Sequence, residues 1–189
     1  MLPKKAWVRG LMIALALVIA GVWLFISTRP VLAPAQDIGP ALVLTRQDEI
    51  AIYKAVVQAV TSDRPQWAAT GPTYILRATD DRTAPAGDQT GSANSVILSQ
   101  TTQDGIGAAL NKVVWIDDWN QLARDPQSGY LVDGGVVVTL GNITLQPDHK
   151  AKISAKYFAG PLTGAGYIYT LDFANGAWSI IGSQQTYVS

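Results

Sequence analysis

Residues 10–27, GLMIALALVIAGVWLFIS, carry no charged side chain. As a helix this run spans ~27 Å, close to the ~30 Å of a bilayer's hydrocarbon core. Lys4, Lys5 and Arg9 precede it and Arg29 follows it, a bias that keeps the N-terminus cytoplasmic. Trp7 and Trp23 fall where interfacial aromatics are expected. Gly10/Ala14 and Ala16/Ala20 give two small-residue spacings of the kind that permits close helix contact in lipid. The expectation is one transmembrane helix at the cell membrane, with the rest of the chain extracytoplasmic. Ala33-Pro34-Ala35 supplies an alternative, a secreted domain released after cleavage following Ala35.

Three segments follow from this: 1–28, a cytoplasmic N-terminus and membrane anchor; 29–44, a tether containing Pro30, Pro34 and Pro40; and 45–189, an extracytoplasmic domain. The last segment is long enough to bury a core of its own. The chain has no cysteine, which excludes disulfides, thiol chemistry and a lipoprotein anchor, and fits a bacterial envelope. From residue 30 onward acidic side chains exceed basic ones by four. A mildly acidic domain is unsuited to nucleic acid, which needs a basic face.

Helix signals come first along the domain. Thr45 with Asp48 forms a capping-box variant for a helix at 46–61, whose apolar face contains Ile50, Tyr53, Val57 and Val60. Residues 73–78 read as a strand and 79–95 as a polar Gly- and Asp-rich loop. Ser99 caps a second helix at 100–111, weakened by Gly105 and Gly107. Strands follow at 113–117, 135–144, 150–158, 166–173 and 177–182. Asp125-Pro126-Gln127-Ser128-Gly129 has turn chemistry, and Asn175-Gly176 between apolar runs is a strong hairpin signal. The expected fold is α+β: helices packed on a curved antiparallel sheet.

Several segments carry a more specific likeness: Gly134-Gly135-Val136; Tyr157 to Leu171, with Gly160-Pro161, Gly164 and Gly166-Tyr167; and Asn175-Gly176-x-Trp178-x-Ile180. In these the last third of the chain resembles the nuclear-transport-factor-2-like and cystatin-like cone domains of uncharacterised bacterial membrane-anchored exported proteins. The resemblance implies a cone-like fold and no particular chemistry.

No catalytic, cofactor-binding or metal-binding constellation stands out, so no cofactor is expected. His149 lies in a turn and reads as solvent-exposed. Asp80-Asp81 and Asp117-Asp118 are paired carboxylates without the spacing of a calcium loop, and read as solvated turn residues. Asn142-Ile143-Thr144 is a glycosylation triplet. Lys150, Lys152 and Lys156 share one strand face and read as a solubilising stripe. The run Gly160–Gly166 lacks the lysine of a phosphate loop, leads into a strand, and reads as a wide connection. Tyr53, Trp115, Tyr157, Tyr169 and Trp178 are the residues that could line a cone pocket, or equally fill its core.

The expected function is a membrane-anchored, non-enzymatic binding or accessory module with a protein partner in the envelope, such as a single-span subunit of a membrane complex. The alternative is a domain that binds a small apolar ligand, or an acid–base enzyme using the cone. Asp172 would be its carboxylate, although alternation with Leu171 and Phe173 turns Asp172 away from them.

Overall fold

The computed structural model describes residues 43–62, 66–68, 70–82 and 94–188, without the side chain of Trp67. The apolar run, the tether, the cleavage motif and most of the polar 79–95 segment lie outside these residues. Among the described residues no helix is long and apolar enough to cross a membrane.

Helix α1 (Arg46–Ser62) starts where its cap places it. The Thr45 amide donates to Asp48 Oδ2 at 3.0 Å, and the Asp48 amide donates back to Thr45 Oγ1 at 3.2 Å, so two otherwise orphaned donors are satisfied. Ile52, Tyr53, Val56, Val57 and Val60 are buried along one face, which packs across the later strands. Helix α2 (Gln100–Gly107) is shorter than its pattern suggests. Ser99 Oγ accepts the Thr102 amide at 3.2 Å, as a cap should. Gly105 has a packing role: a Cβ there would lie 2.7 Å from Ile50 Cδ1, so glycine lets α2 approach α1 closely.

The described residues form seven strands: β1 (Thr73–Leu76), β2 (Val113–Ile116), β3 (Val136–Leu140), β4 (Thr144–Gln146), β5 (Lys150–Gly160), β6 (Thr163–Ala174) and β7 (Ala177–Val188). They form one sheet in the order β2-β1-β3-β5-β6-β7, with β4 beside β5. The sheet is mixed, which corrects the expected antiparallel meander. β1 runs parallel to both β2 and β3, while β3 to β7 pair antiparallel. The cause is the connection between β1 and β2. It contains α2, and a helical crossover returns the chain to the same end of the sheet, as parallel pairing requires. The coarse class, α+β, is as expected.

Two other expectations change. The segment 135–144 is not one strand. β3 pairs with the upper part of β5 and β4 with its lower part, and the chain jogs at 141–143 between them. At the jog, a Cβ on Gly141 would sit 2.1 Å from Ser154 Oγ, leaving no room for a larger residue. The glycine-rich run 160–166 is a tight hairpin, because Gly160 already pairs with Thr163 across Pro161-Leu162. The Asn175-Gly176 turn is as expected, with both residues at positive φ and Ala174 paired with Ala177. Register shifts in β5/β6 and twice in β6/β7 mark bulges, which bend strands locally.

The main core lies between α1, α2 and one sheet face, to which β5 contributes Ala151, Ile153, Ala155, Tyr157 and Ala159. A second, smaller core covers the opposite face near β1, β2 and β3. There Leu76, Ile116 and Val137 pack with Trp119 and Leu131 from the 117–135 connection. Asp125 anchors that connection by accepting the Gln127 and Ser128 amides at 3.0 and 2.7 Å, which hold its carboxyl below the usual range.

Candidate functional site

The strands β1, β2 and β3 are parallel, so their carboxyl ends open at one end of the sheet. That is where open α/β sheets place ligands. A cleft of about 370 Å³ lies there, with Leu76, Ala78 and Trp119 among its apolar walls. Its polar walls include Thr79, Asp80 and Arg82 after β1, and Asp117 and Asp118 after β2. Sequence reasoning singled out both carboxylate pairs, and three of their four members line this cleft.

Asp81, Asp117 and Asp118 are exposed, as expected of solvated turn residues, but that reading is corrected for Asp80. Asp80 is buried, 8 % exposed. Its Oδ1 accepts Arg82 Nε at 3.0 Å and the Arg82 amide at 3.0 Å; its Oδ2 accepts Lys156 Nζ at 3.0 Å and Arg82 Nη2 at 3.1 Å. Burial pushes the Asp80 carboxyl upward, but hydrogen bonds from Arg82 and Lys156 outweigh it and hold the group below its usual value. Lys156 is corrected in the same way. It is 5 % exposed, while Lys152 is exposed and Lys150 half-buried. Lys156 sits between Thr139 of β3 and Gly166 of β6, and it also donates to the Arg82 carbonyl at 3.2 Å.

The remaining carboxylates are also engaged. Asp81 accepts the Asn142 amide at 2.7 Å and Asn142 Nδ2 at 2.6 Å. Asn142 Nδ2 also donates to the Asn94 carbonyl at 2.7 Å, and Thr79 Oγ1 bonds Asn142 Oδ1 at 2.7 Å. The asparagine of the glycosylation triplet is therefore engaged within the fold, tying Asp81 and Asn94 to the residues after β3. Asp117, exposed, pairs with Arg77 at 2.7 Å, and Arg77 Nε reaches buried Gln103 of α2 at 3.2 Å. Asp118 Oδ1 accepts the Asn120 amide at 2.8 Å. Among the described residues no group of three or more His, Cys, Asp or Glu is placed to hold a metal.

The aromatic set falls elsewhere. Tyr53, Tyr157, Tyr169 and Trp178 are buried in the main core, and Trp115, half-buried, packs against it. Burial pushes the Tyr53 hydroxyl up, and it donates to the Gly141 carbonyl at 3.3 Å. Tyr53 also borders a surface groove with Leu44, Val96, Ile97 and Ile143, and Trp178 borders another beside α1. His149 is exposed at positive φ in the β4–β5 turn, as expected. Asp172 lies on the sheet face opposite buried Leu171 and core-packed Phe173.

Sequence reasoning missed the Arg82–Asp80–Lys156 cluster and Trp119. Trp119 packs edge-on to Phe158 with centroids 5.1 Å apart and carries the Arg124 guanidinium 4.0 Å above its ring. Buried Arg124 Nη2 has no hydrogen-bond partner, and its attraction to the ring is a cation–π contact. No local signal marks these sites, because Lys156 and Phe158 come from β5, far along the chain from Asp80 and Trp119. Set against known proteins, the chain matches no family model, no curated protein and no solved structure.

Proposed function

We propose that this chain is a membrane-anchored binding or accessory module. A cone-like domain of the nuclear-transport-factor-2-like or cystatin-like kind would be held on the non-cytoplasmic side of a cell membrane to engage a protein partner. The observation that carries the binding half is the state of the cleft's acids. Asp80, Asp117 and Asp118 are each committed to a donor within the fold. A general base must be free to take a proton from a substrate within hydrogen-bond reach. Carboxylates locked in ion pairs and turn contacts build a fixed surface instead. The uncharged run at 10–27 and its flanking cations support the address.

The address has a direct test. With a membrane-impermeant protease outside intact protoplasts, the 45–189 domain is expected to be digested while an N-terminal epitope stays protected. Digestion only after the membrane is opened would contradict that orientation. Recovery of the domain in the medium with a new N-terminus after Ala35 would instead identify a released protein.

A further inference from the structure

β7 ends the sheet order, so among the described residues one of its edges has no strand beside it. The opposite edge strand, β2, has four residues; β7 has twelve. Natural edges of that length are guarded by lysine, proline or other charge. Ala177–Val188 contains no charged residue and no proline. Among the described residues its protection is two bulges, which leave Ile181 and Thr186 without partners in the register. Residues 181–185 are all exposed, on both faces of the strand, and Ile181 and Val188 remain 56 % and 69 % exposed.

The start of β7 lies beside α1. Between them runs a groove of about 500 Å³, floored by Ala51 and Ala55 and closed by Trp178. Two charged side chains border it. Asp48 is occupied by Thr45 and by Trp178 Nε1 at 2.9 Å. Lys54 has no ion-pair or hydrogen-bond partner among the described residues.

On the binding-module reading, we infer that an extended segment of a partner protein docks here as an added strand on β7. It would place small apolar side chains against Ala51 and Ala55, and an aspartate or glutamate opposite Lys54. Main-chain pairing along a free edge gives affinity, and pockets for alternate side chains give specificity. The small residues of α1 make room for those side chains, and Lys54 sets the charge. A second copy of this chain fits less well, because β7 has no carboxylate to offer Lys54.

A phage library of random twelve-residue peptides, selected on the full chain in lipid nanodiscs, tests this. Selected peptides should be apolar with a carboxylate. They should bind the wild type at least tenfold tighter than the Ile181→Lys/Gln184→Lys double variant, which charges exposed positions only. Lys54→Glu should lose the acidic peptides by a similar factor and select basic ones. Unchanged thermal midpoints show that the variants remain folded.

Peptides that bind every variant equally would overturn edge docking while leaving a binding module in place. Failure to enrich any peptide would overturn it too. So would a dimer that Ser183→Cys, the sole cysteine of that variant, locks edge to edge on oxidation. A chain that has no partner in its own membrane contradicts the binding-module reading itself.

Discussion

Asp80→Ala is expected to destabilise the domain by about 3–5 kcal/mol, the cost of leaving a buried charge without its partner. Lys156 is almost fully buried, and Asp80 is the carboxylate that faces it. Truncating Asp80 removes the carboxylate that Lys156 and Arg82 share and leaves the buried Lys156 ammonium facing the neutral Arg82 carbonyl. The double variant Asp80→Ala/Lys156→Met should recover most of the loss, because removing both charges also removes the unpaired one. Chemical denaturation of the single and double variants measures this directly. A loss under 1 kcal/mol for Asp80→Ala would show that the pair is solvated.

The same cluster sets a pH dependence. The folded Asp80 carboxyl lies below its ordinary value of 3.8, so its contribution is fully present above that value. It is lost as pH falls through the lower, folded value. Asp48 shifts the same way, held down first by Thr45 against the opposing effect of burial. The denaturation midpoint should therefore hold near neutrality and drop below pH 3.8. The acid slope should be shallower in Asp80→Ala.

Trp178→Ala should cost about 3–5 kcal/mol, as for other buried tryptophans. Its ring is 9 % exposed and packs on Phe173 with centroids 5.2 Å apart. Its indole N–H holds Asp48 in the first turn of α1, so truncation loosens helix and sheet together. Trp178→Phe keeps most of the ring contact and should cost clearly less. Circular dichroism during denaturation distinguishes the two. If truncation changed stability by less than about 0.5 kcal/mol, the range of ordinary surface substitutions, Trp178 would belong to a ligand surface and not to the core.

Features specified within a few residues were legible in the sequence. The Thr45–Asp48 cap, the Ser99 cap, the Asn175-Gly176 hairpin and the alternation from Ala151 to Tyr157 need only local spacing. The parallel pairing of β1 with β2 and β3 was not legible, since it depends on where a crossover helix returns the chain. The inward turn of Lys156 was hidden for a related reason. Its strand face looks polar, and only the packing of Arg82, Thr139 and Gly166 around it makes that position dry. The cleft assembles residues from the ends of strands some forty positions apart, so no motif could announce it. Individual acids were visible, but their engagement with Arg77, Arg82, Asn142 and Lys156 was not.

The mass of the native particle that contains this chain tests the binding-module account most directly. Membranes from cells producing the full chain at its natural level would be solubilised in mild detergent, and that mass measured by light scattering. The expected result is a particle heavier than one 20.2 kDa chain with its detergent, containing a second polypeptide at fixed stoichiometry. A particle of one chain and detergent alone, at every detergent concentration that keeps the domain folded, would contradict it.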